Sequence, residues 1–143
     1  MKIDLERYLI QRYPMRLIDS VIEVTDHLVK CKAVVKEENV FYDPAICGIR
    51  SWVGLEFMAQ TAAVFASFKN SQQSLPQIGF LISIRKFLCA ELYFKLNDIL
   101  IITAENLYME DGVGVFQCQI ELEDIPVASA RLSAVQTVNF RDK

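Results

Sequence analysis

The sequence predicts an α+β fold in which a curved antiparallel sheet wraps one central buried helix. Three observations lead there. The segment Trp52–Phe68 carries apolar residues all around a helical axis instead of along one stripe, and a helix of that kind is enclosed on nearly all sides. Two segments before it and four after it read as strands, several with strict apolar–polar alternation. The pairs Asp111-Gly112 and Glu123-Asp124 suit tight turns between antiparallel neighbours. A sheet laid against an enclosed helix accommodates all three.

Taken in order, Asp4–Leu9 reads as a short helical lead-in capped by Asp4, and Pro14 interrupts any continuation. Met15–Val24 suits a strand with Ile18, Ile22 and Val24 on one side. His27–Val35 is a clearer strand, because Val29, Cys31, Ala33 and Val35 alternate with a mixed face, and Thr25-Asp26 supplies the turn before it. Asn39–Ser51, with Pro44 and Gly48, reads as an ordered loop. The helix over Trp52–Phe68 follows, with Ser51 as its N-cap and a length of roughly 25 Å at about 1.5 Å per residue. Lys69–Pro76 is polar and reads as a loop. The remaining strands are placed at Gly79–Phe87, Ile99–Met109, Val113–Glu121 and Val127–Val138. In the last of these, the small residues Ala128, Ala130 and Ala134 allow the sheet to approach the helix closely.

At 143 residues the chain suits a single domain over 1–143. That length buries about 68–70 % of its extendable surface, so no disulfide or metal staple is needed. A net charge of −3, with no basic run, points away from nucleic acid. No stretch reaches the ~18 uninterrupted apolar residues of a membrane span, and Met1–Ile10 lacks the apolar centre of a signal peptide. The protein is therefore expected to be cytoplasmic, without membrane insertion. Cys31, Cys47, Cys89 and Cys118 form no CxxC pair and have no His at ligand spacing. They are expected to be reduced core thiols, with no metal site and no cofactor.

The residue that stands out is Glu56, a carboxylate inside the most apolar helix of the chain. An ionised group there is unfavourable unless it is paired or faces a polar cleft. It reads either as a functional acid or as a side chain that reaches solvent or pairs with an Arg such as Arg50. Gln60 lies four residues on and Trp52 four before, so the three share a helix face. Gln60 reads more readily as a structural amide bridging buried backbone than as a direct participant. His27, the only histidine, sits beside a turn and reads as an exposed turn residue. No Gly-rich phosphate loop, EF-hand or HExxH pattern is present.

The segment Gly54-Leu55-Glu56-Phe57-Met58-Ala59-Gln60-Thr61-Ala62-Ala63 resembles the central helix of the β-hydroxyacyl-acyl carrier protein dehydratases, with its acidic residue followed by Ala-Met-Ala/Trp-Gln. Arg12-Tyr13-Pro14-Met15-Arg16-Leu17-Ile18-Asp19-Ser20-Val21 is similar to that family's opening segment. Gly79–Phe87 looks like the strand after its helix, and Asp98 falls where the family has a Gly-Asp turn. The likeness runs in order through most of the chain. It implies a hotdog fold assembled as a dimer by edge-to-edge pairing of sheets, a 3-hydroxyacyl substrate carried as a thioester on acyl carrier protein or coenzyme A, and loss of water to give a trans-2-enoyl thioester. Glu56 matches the family's acidic residue and Gln60 its supporting Gln. The backbone at the helix start (Trp52, Val53 and Gly54), together with Gly48, is expected to bind substrate and polarise the thioester oxygen.

The sequence departs from the family at the loop that there carries His-Phe-Pro-Gly. Here it reads Phe41-Tyr42-Asp43-Pro44-Ala45-Ile46-Cys47-Gly48-Ile49-Arg50, without histidine. Tyr42 and Asp43 are the proton-transfer groups at hand, and a neutral Tyr is a poor base at pH 7. The chain most resembles a branch without the catalytic histidine, similar to dehydratase-like proteins of aryl-polyene pathways. Three readings follow. The chain, which is expected to form a homodimer or a heterodimer with a related hotdog subunit, is in the first a dehydratase subunit completed by a His-bearing relative. Alternatively it is an enzyme acting alone with altered chemistry, either a dehydratase or a hotdog thioesterase. In the third reading it is a non-catalytic acyl-binding or structural subunit.

Overall fold

The structure, a computed structural model, describes residues 4–9, 12, 13, 15–69 and 78–137. The chain opens with a single helical turn, α1 (Leu5–Tyr8), capped as expected by Asp4, whose Oδ1 accepts the Glu6 N–H at 3.1 Å. Pro14 and Val138 lie outside the described residues, as does most of the expected 69–76 loop.

Strands β1 (Ser20–Val24) and β2 (Leu28–Val34) form a hairpin. Its turn is tied by Thr25, whose Oγ1 accepts from the N–H groups of His27 and Leu28, both at 3.1 Å. His27 is exposed there. Strand β2 alternates as read, with Val29, Cys31, Ala33 and the following Val35 fully buried. Strand β1 corrects the expected pattern. It starts at Ser20 instead of Met15, and a bulge between Val21 and Glu23 reverses the alternation. Val21 therefore packs on the core while Ile22 is 53 % exposed.

The expected loop 39–51 holds two very short strands, β3 (Tyr42–Asp43) and β4 (Gly48–Arg50). They pair with each other, and β4 pairs with β6 (Tyr93–Lys95), in a separate three-stranded sheet. Runs of two or three residues are too short to show a period, and the partner strand lies far along the chain. Gly48 is needed there, because a Cβ at that position would sit 2.2 Å from the Phe94 carbonyl oxygen of β6.

A 3₁₀ turn at Ser51–Val53 leads into the central helix, α2 (Gly54–Lys69). Ser51 is not the expected N-cap. The cap position is Arg50, with no side-chain cap bond, and the Ser51 N–H donates to the Leu92 carbonyl at 3.2 Å. The helix is enclosed as its composition demands: Phe57, Met58, Gln60, Thr61, Ala62, Val64, Phe65 and Ala66 are buried around its axis. Phe57 meets Phe94 edge-on at 6.2 Å, and Phe65 meets Phe116 at 5.8 Å.

Long strands complete the fold: β5 (Ile78–Cys89), β7 (Ile99–Glu110), β8 (Val113–Leu122) and β9 (Ile125–Thr137). They join β1 and β2 in a six-stranded antiparallel sheet of order β1-β2-β7-β8-β9-β5. Both predicted tight turns are present. Asp111 and Gly112 have φ of 53° and 78°, and Glu123 and Asp124 have φ of 53° and 64°, the positive pair that matches strand twist in a two-residue hairpin. Ala128 and Ala130 are buried as expected, but Ala134 is only partly so, and α2 rests mainly on β7, β2 and β8, touching β9 less.

The four cysteines are free. Cys31 and Cys118 are core thiols, but Cys47, at φ 51°, is exposed, against the expectation of burial. Burial pushes both core thiols up to about 12. In an unfolded chain they ionise near pH 8.5. The folded state therefore holds its protons where the unfolded state has lost them, so this contribution to stability is full below about pH 8.5 and falls as pH rises toward 12. Urea melts between pH 8 and 11 should show the midpoint falling, and replacing both thiols by Ala should flatten that slope. At pH 8 an alkylating reagent should modify Cys47 first, with Cys31 and Cys118 reacting only on unfolding, as read by peptide mass.

Candidate functional site

The central helix places Glu56 one turn before Gln60, and the two side chains meet: Gln60 Nε2 donates to Glu56 Oε2 at 2.8 Å. Gln60 is 1 % exposed. Its other polar atoms are engaged with the segment between α1 and β1. Its Oε1 accepts the Leu17 N–H at 2.8 Å, and Nε2 also donates to the Met15 carbonyl at 3.0 Å. Both N–H bonds of the amide are thus in use, and the amide has one orientation. Flipping it would face an N–H with the Leu17 N–H and two acceptors with its oxygen. Gln60 is therefore the structural bridge between buried backbone groups that its position suggested. It also fixes where one oxygen of Glu56 points.

Glu56 itself is partly buried. It forms no ion pair with Arg50, whose Nη2 instead donates to Asp43 Oδ2 at 3.0 Å. Asp43 is further held by the Ala45 N–H at 2.9 Å, in the manner of an Asx turn. This engages Asp43 in the loop's own structure and leaves it poorly placed to take a proton from a substrate. Tyr42 is partly buried, and its hydroxyl is pushed up from the ordinary range. Desolvation is the main cause, with Cys47, Glu37 and Asp43 adding to it. At neutral pH Tyr42 is a neutral donor.

Trp52 lies beside the helix start, 58 % exposed, with its ring edge-on to Phe41 at 6.1 Å. Val53 and Gly54 are buried. A Cβ on Gly54 would come within 3.3 Å of the Ile120 side chain, so this glycine sets how closely α2 sits on β8. Its N–H is bonded to the Ser51 and Trp52 carbonyls, and that of Ser51 to Leu92. The 3₁₀ turn also engages the Val53 N–H, so the candidate donor for a thioester oxygen at this start narrows to the N–H of Trp52. Gly48, packed beneath Phe94, acts through the close contact of β4 and β6. The structure thus joins Glu56 to Gln60 by a direct bond, joins Asp43 to Arg50, and sets Trp52 on Phe41. Among the described residues no group of His, Cys, Asp and Glu could hold a metal, and no helix is long and apolar enough to cross a membrane.

Sequence reasoning missed the part played by residues 15–17, whose backbone receives the Gln60 amide. A backbone donor and a backbone acceptor leave no mark on side-chain identity, so no signal in the sequence could have found them.

Several solved structures share this architecture. The chain is similar to a chain of the dehydratase heterocomplex ApeI:P from Xenorhabdus doucetiae, with a TM-score of 0.89 and 24 % identity over 97 % of this chain and 94 % of that one. It is similar to an HP0420 homologue from Helicobacter felis, with a TM-score of 0.69 and 10 % identity over 94 % and 89 %. A third likeness is to a hypothetical thioesterase with coenzyme A from Streptococcus pneumoniae, with a TM-score of 0.61 and 17 % identity over 82 % and 84 %. These likenesses establish the hotdog fold. Among curated proteins no relative matches the sequence. The profile of the ApeP-like group, described as ApeP dehydratase, matches residues 3–142. With the helix acid and its glutamine in place on a hotdog scaffold, the chain belongs to the ApeP-like dehydratase family.

Proposed function

We propose that the chain is one subunit of a dehydratase for 3-hydroxyacyl thioesters, in which Glu56 works at a site completed by the histidine of a related hotdog partner. The observation that carries this reading is the Gln60 amide. Every donor it has is committed, and one of them fixes a carboxylate oxygen on an otherwise apolar helix. A carboxylate held this way suits proton transfer at a defined point. The loop before the helix offers a neutral Tyr42 and an ion-paired Asp43, neither suited to act as the base.

Dehydration needs one group to remove the proton beside the thioester carbonyl and another to protonate the departing hydroxyl. In this reading Glu56 supplies one of these transfers and the partner's histidine the other. The N–H of Trp52 at the helix start polarises the thioester oxygen. The carrier is acyl carrier protein or coenzyme A, and the site is cytoplasmic. Assembly uses β5, one of the two outer strands of the six-stranded sheet. A 12-residue edge strand invites pairing with a second edge. The likeness to a chain of a dehydratase heterocomplex supports an unlike partner.

The test mixes the purified chain with a His-bearing hotdog relative and follows a 3-hydroxyacyl thioester, reading enoyl product and free thiol separately. Enoyl product from the mixture and none from the chain alone is expected. Thiol release by the lone chain would instead establish a thioesterase, and acyl-pantetheine binding without turnover in any mixture a non-catalytic subunit.

A further inference from the structure

We infer that the β5 edge selects an unlike partner by charge, favouring a related chain with carboxylates on its matching edge over a second copy of itself. The inference rests on the edge-to-edge assembly proposed above and adds what decides the partner.

Strands β5 and β9 are the last two of the sheet. Together, over Ile78–Cys89 and Ile125–Thr137, they contain Arg85, Lys86 and Arg131 and no carboxylate. The chain as a whole carries more acidic than basic residues, 18 against 15. Arg85 and Arg131 are direct cross-strand partners, and both are exposed. Side chains opposite each other in an antiparallel pair lie ~4.5–5.5 Å apart at Cβ, where like charges destabilise. The sheet does not neutralise them. Arg131 directs Nε and Nη2 to the amide oxygen of Gln117, each at 3.3 Å, so its partner is uncharged. Among the described residues neither arginine nor Lys86 has an ion pair.

The edge is also apolar and uncovered. Ile84 is registered opposite Leu132, which is 1 % exposed on the helix side of the sheet, yet Ile84 is 41 % exposed. Leu88 is exposed as well, at the rim of a groove of about 370 Å³ shared with Cys89, Pro126 and Val127. The edge therefore has the apolar area to hold a partner and an unbalanced charge that a copy of itself would double. Two copies would bring six cations to one joint with no carboxylate from either edge strand. A partner edge bearing carboxylates would remove the repulsion within the Arg85–Arg131 pair and add attraction across the joint. Such complementarity discriminates between partners more than it adds raw affinity.

The expected results concern association, so they can fail independently of dehydration. By sedimentation, self-association of the wild-type chain should strengthen from 50 to 300 mM salt, because salt screens like charges. R85Q/K86Q/R131Q should self-associate about 10-fold more tightly than wild type at low salt, as two or three relieved contacts of about 0.5 kcal/mol each predict. Native mass spectrometry of wild type mixed with R85E/K86E/R131E should show the mixed dimer well above the statistical half, and salt should weaken it. Self-association that weakens with salt overturns the inference, as does a Gln variant no tighter than wild type. A statistical mixture, or no mixed dimer when both chains are folded by circular dichroism, also overturns it. Should the charge-reversed variant fail to fold, the Gln variant and the wild-type salt dependence decide. If these results hold while the mixed dehydration assay stays silent, the edge inference stands and the catalytic reading falls.

Discussion

Glu56→Gln is expected to lower kcat for dehydration by the mixed complex about 10²–10⁴-fold, the usual worth of a positioned acid or base. The substitution is nearly isosteric and keeps an oxygen for the Gln60 N–H, so the bond at 2.8 Å has a neutral replacement. What disappears is the capacity to give and take a proton. A group that acts only in the transition state lowers kcat and kcat/KM together, whereas a binding group raises KM. The expected signature is therefore a large fall in kcat with KM within about threefold, at an unchanged melting temperature. With the other proton-transfer group on the partner, as proposed, the pH profile of the residual activity should lose one of its two limbs. Full activity in the Gln variant would sink the assignment of Glu56, and a parallel loss of melting temperature would recast it as structural.

The elements whose physics is local were legible in the sequence. Helix α2 was visible because a run of apolar residues around the axis has no alternative to enclosure, and β2 and β8 because their alternation survives unbroken into burial. The two hairpin turns followed from Asp-Gly and Glu-Asp between alternating runs. What the sequence hid depends on distant partners. The three-stranded sheet requires Gly48 to meet Phe94 across the chain. The bulge that exposes Ile22 leaves the composition of β1 unchanged. Within the candidate site, Glu56 and Gln60 stood out because polar residues at a spacing of four in an apolar helix need a reason. The partition of Asp43 and Arg50 into an ion pair of their own was not readable, since Arg50 is about as close in sequence to Glu56 as to Asp43. Nor could the sequence show the N-terminal start of α2 tightening into a 3₁₀ turn, which redirects the Ser51 N–H to Leu92.

The largest loss of stability is expected from Gln60→Leu, about 3 kcal/mol. Leu fills a similar volume, so the change isolates the amide. Removing it orphans the Leu17 N–H and the Met15 carbonyl, which the amide now satisfies at 2.8 and 3.0 Å. Leu17 is 1 % exposed, so water is poorly placed to replace the lost partner at its N–H. Each buried backbone group left without a partner costs about 1–3 kcal/mol. Near 3 °C per kcal/mol for a chain of this size, the melting temperature should fall by roughly 10 °C. Gln60→Glu separates packing from donor geometry. It keeps an acceptor for Leu17 but removes both donors and sets a second carboxylate against Glu56, so it should destabilise at pH 8 and recover in part at pH 4, where carboxylates protonate. The same two variants bear on mechanism. If the amide aims Glu56 as well as supporting the fold, Gln60→Leu should lower kcat in the mixed complex at temperatures well below its own melting point, with KM little changed. Unaltered kcat there would leave Gln60 a purely structural bridge and return the positioning of Glu56 to the helix alone.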